Sequence, residues 1–297
     1  MTDRPTRRPD DGGLERRFSA AVEGGEIGGQ LSGAGPRTLL LHGGPGLSDY
    51  LADLAAELAE SFTVARYQQR GLAPSLTGGA RDVEGHVADA VGVLDGLGWD
   101  RAWVIGHSWG GHLAMHVAVA HPDRVAGIVV LDALGALRDG GAAAMGDRLR
   151  RDLPDSARAR LAELDAREER GETNTEEQME GLRLLWPYYF AEPSTAPPMP
   201  PLRFDLDGYA TAWASVEEHW EAGTLERGLP NLKMPALFMH GELDPIPAEE
   251  SRRSAALMPA ARLEILSGLG HFPWIESPGI VRGLVAAGVA ESELVAG

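Results

Sequence analysis

The chain of 297 residues contains no cysteine. Disulfides, thiolate metal sites and thiol nucleophiles are therefore excluded together, and any chemistry must come from oxygen and nitrogen groups. It also lacks any apolar run approaching the roughly 18 residues that a membrane span requires. The segment Met1 to Arg17 (MTDRPTRRPDDGGLERR) carries charge, Pro and Gly but no apolar core of the kind a secretory leader needs. The expectation is a cytoplasmic protein with no membrane partner and with residues 1–17 as a disordered tail. Positive charge is scarce too: 27 Lys and Arg stand against 44 Asp and Glu, a formal charge of −17. Nucleic-acid binding needs clustered cations to displace counterions, so nucleic acid is excluded as an expected partner and a small molecule or short peptide is favoured.

What is present is a repeated alternation. Thr38 to Leu41 (TLLL), Phe62 to Ala65, Ala102 to Ile105 (AWVI), Ile128 to Leu131 (IVVL), Ala236 to Met239 (ALFM) and Leu263 to Leu266 (LEIL) are short apolar runs of strand length. Helical periodicity separates or follows them in Leu51 to Ala59, Val83 to Leu97, Leu113 to Ala120 and Ile280 to Val289. This order predicts an α/β fold, a mostly parallel central sheet with helices on both faces. From about Gly135 to Pro230 the rhythm stops and a mostly helical, charge-rich stretch intervenes, including the Pro-rich Pro193 to Pro201. The expected organisation is a catalytic domain of residues 18–134 and 231–297 with a helical cap inserted at 135–230.

Gly106-His107-Ser108-Trp109-Gly110 joins the strand AWVI to a helix, the context a G-x-S-x-G nucleophile turn requires. A serine hydroxyl becomes a nucleophile only when a base takes its proton, and the base must be oriented by an acid. In chain order the acid precedes the histidine. Asp244 follows ALFM and His271 follows LEIL, so both reach the sheet edge where Ser108 stands. Asp132, after IVVL, and Glu242 are rivals for the acid; Asp244 is preferred for its loop and order. His42, His107, His112, His116, His121 and His240 are expected to be structural. Oxyanion donors are expected at the NH groups of Trp109 and of Gly44, in the turn His42 to Gly46 (HGGPG), where Pro45 has no NH to offer. The motifs call for no cofactor and no metal.

These motifs resemble the proline iminopeptidases and related peptidases of the α/β-hydrolase fold. HGGPG and GHSWGG carry the likeness, over about residues 20 to 290, and Tyr67 to Ser75 (YQQRGLAPS) resembles that family's DQRGxGxS with Gln68 in place of Asp and Ala73 in place of Gly. The resemblance implies a serine hydrolase acting through an acyl-enzyme, most simply an aminopeptidase on small peptides. It implies that Glu217, in Ala214 to Trp220 (ASVEEHW), binds the substrate α-amino group, with Glu192 the nearest counterpart to a second such glutamate. Trp109, Trp186, Tyr188, Tyr189, Phe190, Trp213 and Trp274 are expected to line an apolar pocket, with Trp186, Tyr188 and Trp213 foremost. The same triad would serve an esterase, amidase or lactonase, whereas epoxide hydrolases and dehalogenases place aspartate where Ser108 stands. A binding protein that keeps the fold without the chemistry is the non-enzymatic alternative.

Overall fold

The computed structural model describes residues 15–76 and 78–296, with side chains to residue 292. Eight strands form one sheet: β1 (Arg16–Val22), β2 (Gly25–Ser32), β3 (Arg37–Leu41), β4 (Thr63–Tyr67), β5 (Ala102–His107), β6 (Val125–Leu131), β7 (Ala236–Gly241) and β8 (Ala261–Leu266), in the order β1-β2-β4-β3-β5-β6-β7-β8. From β4 to β8 all neighbours are parallel; β1 and β2 form an antiparallel hairpin that joins β4 at one edge. The hairpin is not legible in the sequence because it has no apolar run to read: β1 is mostly exposed and β2 (GEIGGQLS) is interrupted by three glycines. It also corrects the expected tail. Arg16 and Arg17 are strand residues and Glu15 pairs with Arg66 at 2.9 Å, while residues 1–14 lie outside the described part.

The helices are α1 (Ala52–Leu58), α2 (Val83–Gly96), α3 (Trp109–Ala120), α4 (Ala142–Arg151), α5 (Asp155–Glu169), α6 (Thr175–Leu185), α7 (Leu206–Ala222), α8 (Thr224–Gly228), α9 (Ala248–Ala256), α10 (Pro273–Glu276) and α11 (Ile280–Ala296). Among the described residues no helix is long and apolar enough to cross a membrane. The strand runs are continuously apolar because both faces of the sheet are covered. In β6, Ile128 and Val130 face α2 and α3, whereas Val129 and Leu131 face the layer of α1 and α11. Leu54 and Leu58 of α1 and Val281, Val285 and Val289 of α11 fill that second layer at helical spacing. Each such fully buried aliphatic side chain contributes about 1.5–3 kcal/mol. Helix α3 is buried along almost its whole length, so its start is fixed tightly against the sheet.

Helices α4 to α8 occupy the stretch between β6 and β7. Leu149, Leu161, Leu164 and Met179 supply their buried contacts, and Arg160–Glu180 and Arg167–Glu177 bridge α5 to α6 at 2.8 Å each. Half-exposed pairs of this kind add little beside the apolar burial.

One ion pair is different. Arg70 Nε and Nη2 donate to Asp89 Oδ2 and Oδ1 at 2.6 and 2.5 Å, and both side chains are buried, 4% and 0% exposed. Arg70 Nη1 also donates to the Ala80 carbonyl at 2.6 Å. The pair fixes the chain after β4 to α2. Arg70→Met strands a buried carboxylate and is expected to cost about 3–5 kcal/mol in urea unfolding. Replacing both partners, Arg70→Met with Asp89→Leu, is expected to recover most of that loss; a double variant no more stable than the single would show that the pair itself, not the stranded charge, carries the energy.

Candidate active site

The C-terminal ends of the parallel strands converge on one edge, and each delivers one part of the site. After β5 the chain turns sharply into α3 with Ser108 at the corner, held at φ 56° and ψ −124°. A non-glycine residue in that region is costly and persists only where the surroundings impose it. They do so by crowding. A Cβ on Gly106 would lie 2.0 Å from the Gly110 carbonyl oxygen, and one on Gly110 would lie 2.2 Å from that of Leu41. The two glycines thus let α3 press its first turn against β3 and β5, and the serine is the residue left projecting.

Ser108 lines a cavity of 330 Å³ together with Gly44, Tyr50, Trp109 and His271 on the sheet side. On the far side the lining comes from α4 to α7, chiefly Met145, Leu149, Leu161, Leu164, Met179 and Leu182. Beyond β8, His271 Nδ1–H donates to Asp244 Oδ2 at 2.8 Å, and Asp244 Oδ1 accepts the Ile246 NH at 2.7 Å. Both are buried. Burial pushes the His271 imidazolium below its ordinary pKa of 6.5 and pushes the Asp244 carboxyl up. The rival Glu242 is exposed, its Oε2 accepting from Ser267 Oγ at 2.7 Å and from the Gly268 NH at 3.0 Å. Asp132 is buried at the end of β6, where its Oδ1 accepts the Gly241 NH at 2.6 Å.

Two of the histidines expected to be structural tie the site together. His107 Nε2–H donates to the His271 carbonyl at 2.7 Å, which leaves Nδ1 to accept from the Tyr50 hydroxyl at 2.7 Å. The same hydroxyl accepts the Gly43 NH at 3.0 Å. Gly43 is thereby committed, while Gly44 beside it, at φ 58°, lines the cavity. His42 Nδ1–H donates to the Gly43 carbonyl at 2.9 Å and its Nε2 accepts the Gln69 NH at 3.1 Å. Gln69 in turn takes the Trp109 indole NH at 3.0 Å and donates to the His42 carbonyl at 2.7 Å. Gln68, the departure from the resembled motif, uses both ends of its amide: it accepts the Asp49 NH at 3.0 Å and donates to the Gln69 carbonyl at 3.1 Å. A carboxylate there could accept but not donate. Tyr50 and Gln69 were missed in the sequence reading because their partners lie 57 and 40 positions away, and no local spacing announces such a contact.

The expected pocket residues divide. Trp186 and Trp213 line the cavity. Trp109 and Tyr189 line it as well, whereas Tyr188 does not: Trp186 to Tyr189 is a 3₁₀ turn, whose side chains eclipse at i and i+3, so Tyr189 shares the cavity face with Trp186. Phe190 and Trp274 are buried in the core instead. Glu217 extends the α7 stripe of Tyr209 and Trp213 but lies beyond the cavity, exposed, with its Oε1 accepting the Trp213 indole NH at 3.1 Å. Glu192 caps the turn Pro193–Thr195 through Ser194. Asp132, His240 and Asp244 place ligand atoms within 4.8 Å of one another. However, His240 Nε2–H donates to the Ile246 carbonyl at 2.9 Å and its Nδ1 accepts from Ser251 Oγ at 2.7 Å, so no imidazole lone pair is left for a cation.

Comparison with known proteins agrees with this architecture. The chain is 28% identical over 277 residues to 2-hydroxymuconate semialdehyde hydrolase of Pseudomonas sp. strain CF600, across 89% of this chain and 90% of that protein. A shorter match of 99 residues, 37% identical, links it to epoxide hydrolase B of Mycobacterium tuberculosis and spans 32% of this chain but only 28% of that protein. The solved structure of proline iminopeptidase from Mycobacterium smegmatis shares the fold at a TM-score of 0.65 and 22% identity, covering 95% of this chain and 100% of that one. With residues 36–278 matching the sequence model of the alpha/beta hydrolase fold, this chain belongs to the alpha/beta hydrolase fold family.

Proposed function

We propose that the protein is a serine hydrolase that cleaves an ester, amide or lactone bond through a Ser108 acyl-enzyme, with segment 135–230 as the cap that reads the acyl group. The observation that carries this reading is the strained Ser108 at the head of a cavity that His271 also lines, with His271 Nδ1 tied to Asp244 at 2.8 Å. Asp244 fixes the tautomer that leaves His271 Nε2 as a base. Ser108 Oγ attacks the carbonyl carbon as His271 takes its proton. The NH groups of Trp109 and Gly44 stabilise the tetrahedral oxyanion, aided by the positive end of α3. His271 then protonates the leaving group, and a water activated by the same imidazole releases the acid. Opening an epoxide or displacing a halide through an aspartyl ester needs a carboxylate at position 108, and Ser108 supplies none.

Leucine and methionine side chains are the most numerous on the cap side of the cavity, beside the charged Arg150, Asp165, Glu168 and Glu177, and they favour a largely apolar acyl group. A second reading, the aminopeptidase, draws on one feature. Glu168 lines the cavity beside Tyr209, and burial together with the charges of Glu168 and Glu217 pushes the Tyr209 hydroxyl up to about 12. A substrate ammonium would be welcome beside Glu168, the carboxylate of the two that lines the cavity.

A fluorophosphonate is expected to label the wild type at one site and not Ser108→Ala, whose kcat falls by about 10⁴-fold or more. Labelling that survives in Ser108→Ala would sink the serine mechanism. Rates on a hexanoyl aryl ester, an acetyl aryl ester, a prolyl anilide and its N-acetylated form separate the two substrate classes. The hexanoyl ester is expected to lead. A dominant prolyl anilide, abolished by acetylation and by Glu168→Gln, would establish the aminopeptidase instead. Because burial holds His271 neutral, the acid limb of kcat/KM is expected below the ordinary histidine value of about 6.5, activity being lost only as pH falls through that lowered pKa. A limb above 6.5 would contradict the buried, neutral base.

A further inference from the structure

We propose that Asp132 is a positioning residue for the His271–Asp244 couple: it keeps its proton and donates it to the Asp244 carboxylate, so that two acids share one fully buried site with a single charge. The inference rests on the serine-hydrolase reading for its catalytic consequence, but the location of the proton stands on geometry alone.

Asp132 and Asp244 are 0% and 1% exposed, and their carboxyl oxygens lie within 4.8 Å of each other at the ends of adjacent strands β6 and β7. Two carboxylates at that separation, out of water, do not both ionise without a cation to balance them. The surroundings offer little. Arg148 approaches Asp244 but spends its Nη1 on the backbone carbonyl, at 3.0 Å. His240 is buried beside both acids with its two ring nitrogens already committed, and burial holds it and His271 neutral. Glu276, Tyr50 and Tyr189, the further titratable neighbours among the described residues, bring either negative charge or none.

The hydrogen bonds decide which acid keeps the proton. Asp244 has a donor on each oxygen, the Ile246 NH on Oδ1 and His271 Nδ1–H on Oδ2. Asp132 has one, the Gly241 NH on Oδ1, while its Oδ2 is buried without a donor. Donors favour the anion, so Asp244 carries the charge, and the proton goes to Asp132 Oδ2, the buried oxygen that no donor reaches. The backbone enforces the aim. Asp132 sits at φ 47°, a left-handed conformation that aspartate tolerates better than most residues, and its own NH is anchored to the Met239 carbonyl at 2.9 Å. Asp132 therefore steadies the acid that orients the base, without touching the reacting atoms, and burial raises its carboxyl well above the ordinary range.

Asp132→Asn reproduces the protonated form, its amide oxygen accepting from Gly241 and its NH₂ donating to Asp244; Asp132→Ala does neither. At pH 7 the Asn variant is expected to react with a fluorophosphonate within about threefold of wild type, and the Ala variant about 10- to 100-fold more slowly, the range for losing a hydrogen bond to a charged group. An Asn variant as slow as the Ala variant would show that Asp132 works as an anion and overturn the proposal. Equal rates in all three proteins would remove its positioning role. The second measurement needs neither the Ala variant nor catalysis: urea unfolding of wild type and Asp132→Asn from pH 4 to 9. Native wild type holds a proton that the unfolded chain releases above about pH 3.9, so its unfolding constant should rise relative to that of the Asn variant by up to tenfold per pH unit, until the folded carboxyl itself ionises. Parallel pH curves would place the proton elsewhere and overturn the assignment. If neither wild type nor variant reacts with the probe while the curves diverge, the serine-hydrolase reading fails and the single proton shared by Asp132 and Asp244 stands.

Discussion

Everything at the active edge depends on one steric constraint, the absence of a side chain at Gly106 and Gly110. With Cβ positions there only 2.0 and 2.2 Å from carbonyl oxygens, the turn between β5 and α3 closes to a radius that no other residue permits. The backbone strain at Ser108 is the result, and the burial of nearly all of α3 holds it in place. A looser turn would let Ser108 relax toward ordinary φ and withdraw from the cavity. It would also break the contact between α3 and the carbonyls of Leu41 and His42, on which the HGGPG turn is set.

From that corner a buried polar network spreads across strands that are distant in sequence. Gln69 joins the ends of β3, β4 and β5 through His42 and Trp109, while the Tyr50 hydroxyl joins Gly43 to His107 and so to the His271 backbone. Each histidine in it is neutral with a fixed tautomer, because burial disfavours the cation and each ring has one donor and one acceptor partner. Networks of this kind are stable only when every member is satisfied, and they then define one arrangement of the loops they connect. The arrangement here brings a serine, an imidazole and the Gly44 backbone around one cavity, while the helices between β6 and β7 supply the rest of its lining.

The parallel strands, the glycine-flanked serine and the order of acid before histidine were legible from the sequence because each is a local pattern. Apolar runs report burial on both faces, and GHSWGG reports its own turn. The β1–β2 hairpin was not legible, because its exposed first strand and glycine-broken second strand carry no apolar run. The helical stretch between β6 and β7 was visible only as a break in rhythm, so its residues could be named but not aimed. Trp186 and Trp213 face the cavity, while Tyr188 turns away and Glu217 lies beyond it, since a 3₁₀ turn and the length of α7 set those directions.

The sequence by itself therefore determined the fold and the chemical identity of the groups at the strand ends, since both follow from periodicity and turn chemistry within a few residues. Only the tertiary structure decided how those groups are used: which of the acids at the sheet edge meets His271, which NH groups remain free, and what surface the substrate meets. Those choices rest on hydrogen bonds between residues up to 164 positions apart and on burial that shifts proton affinities. Neither exists until the strand ends have converged.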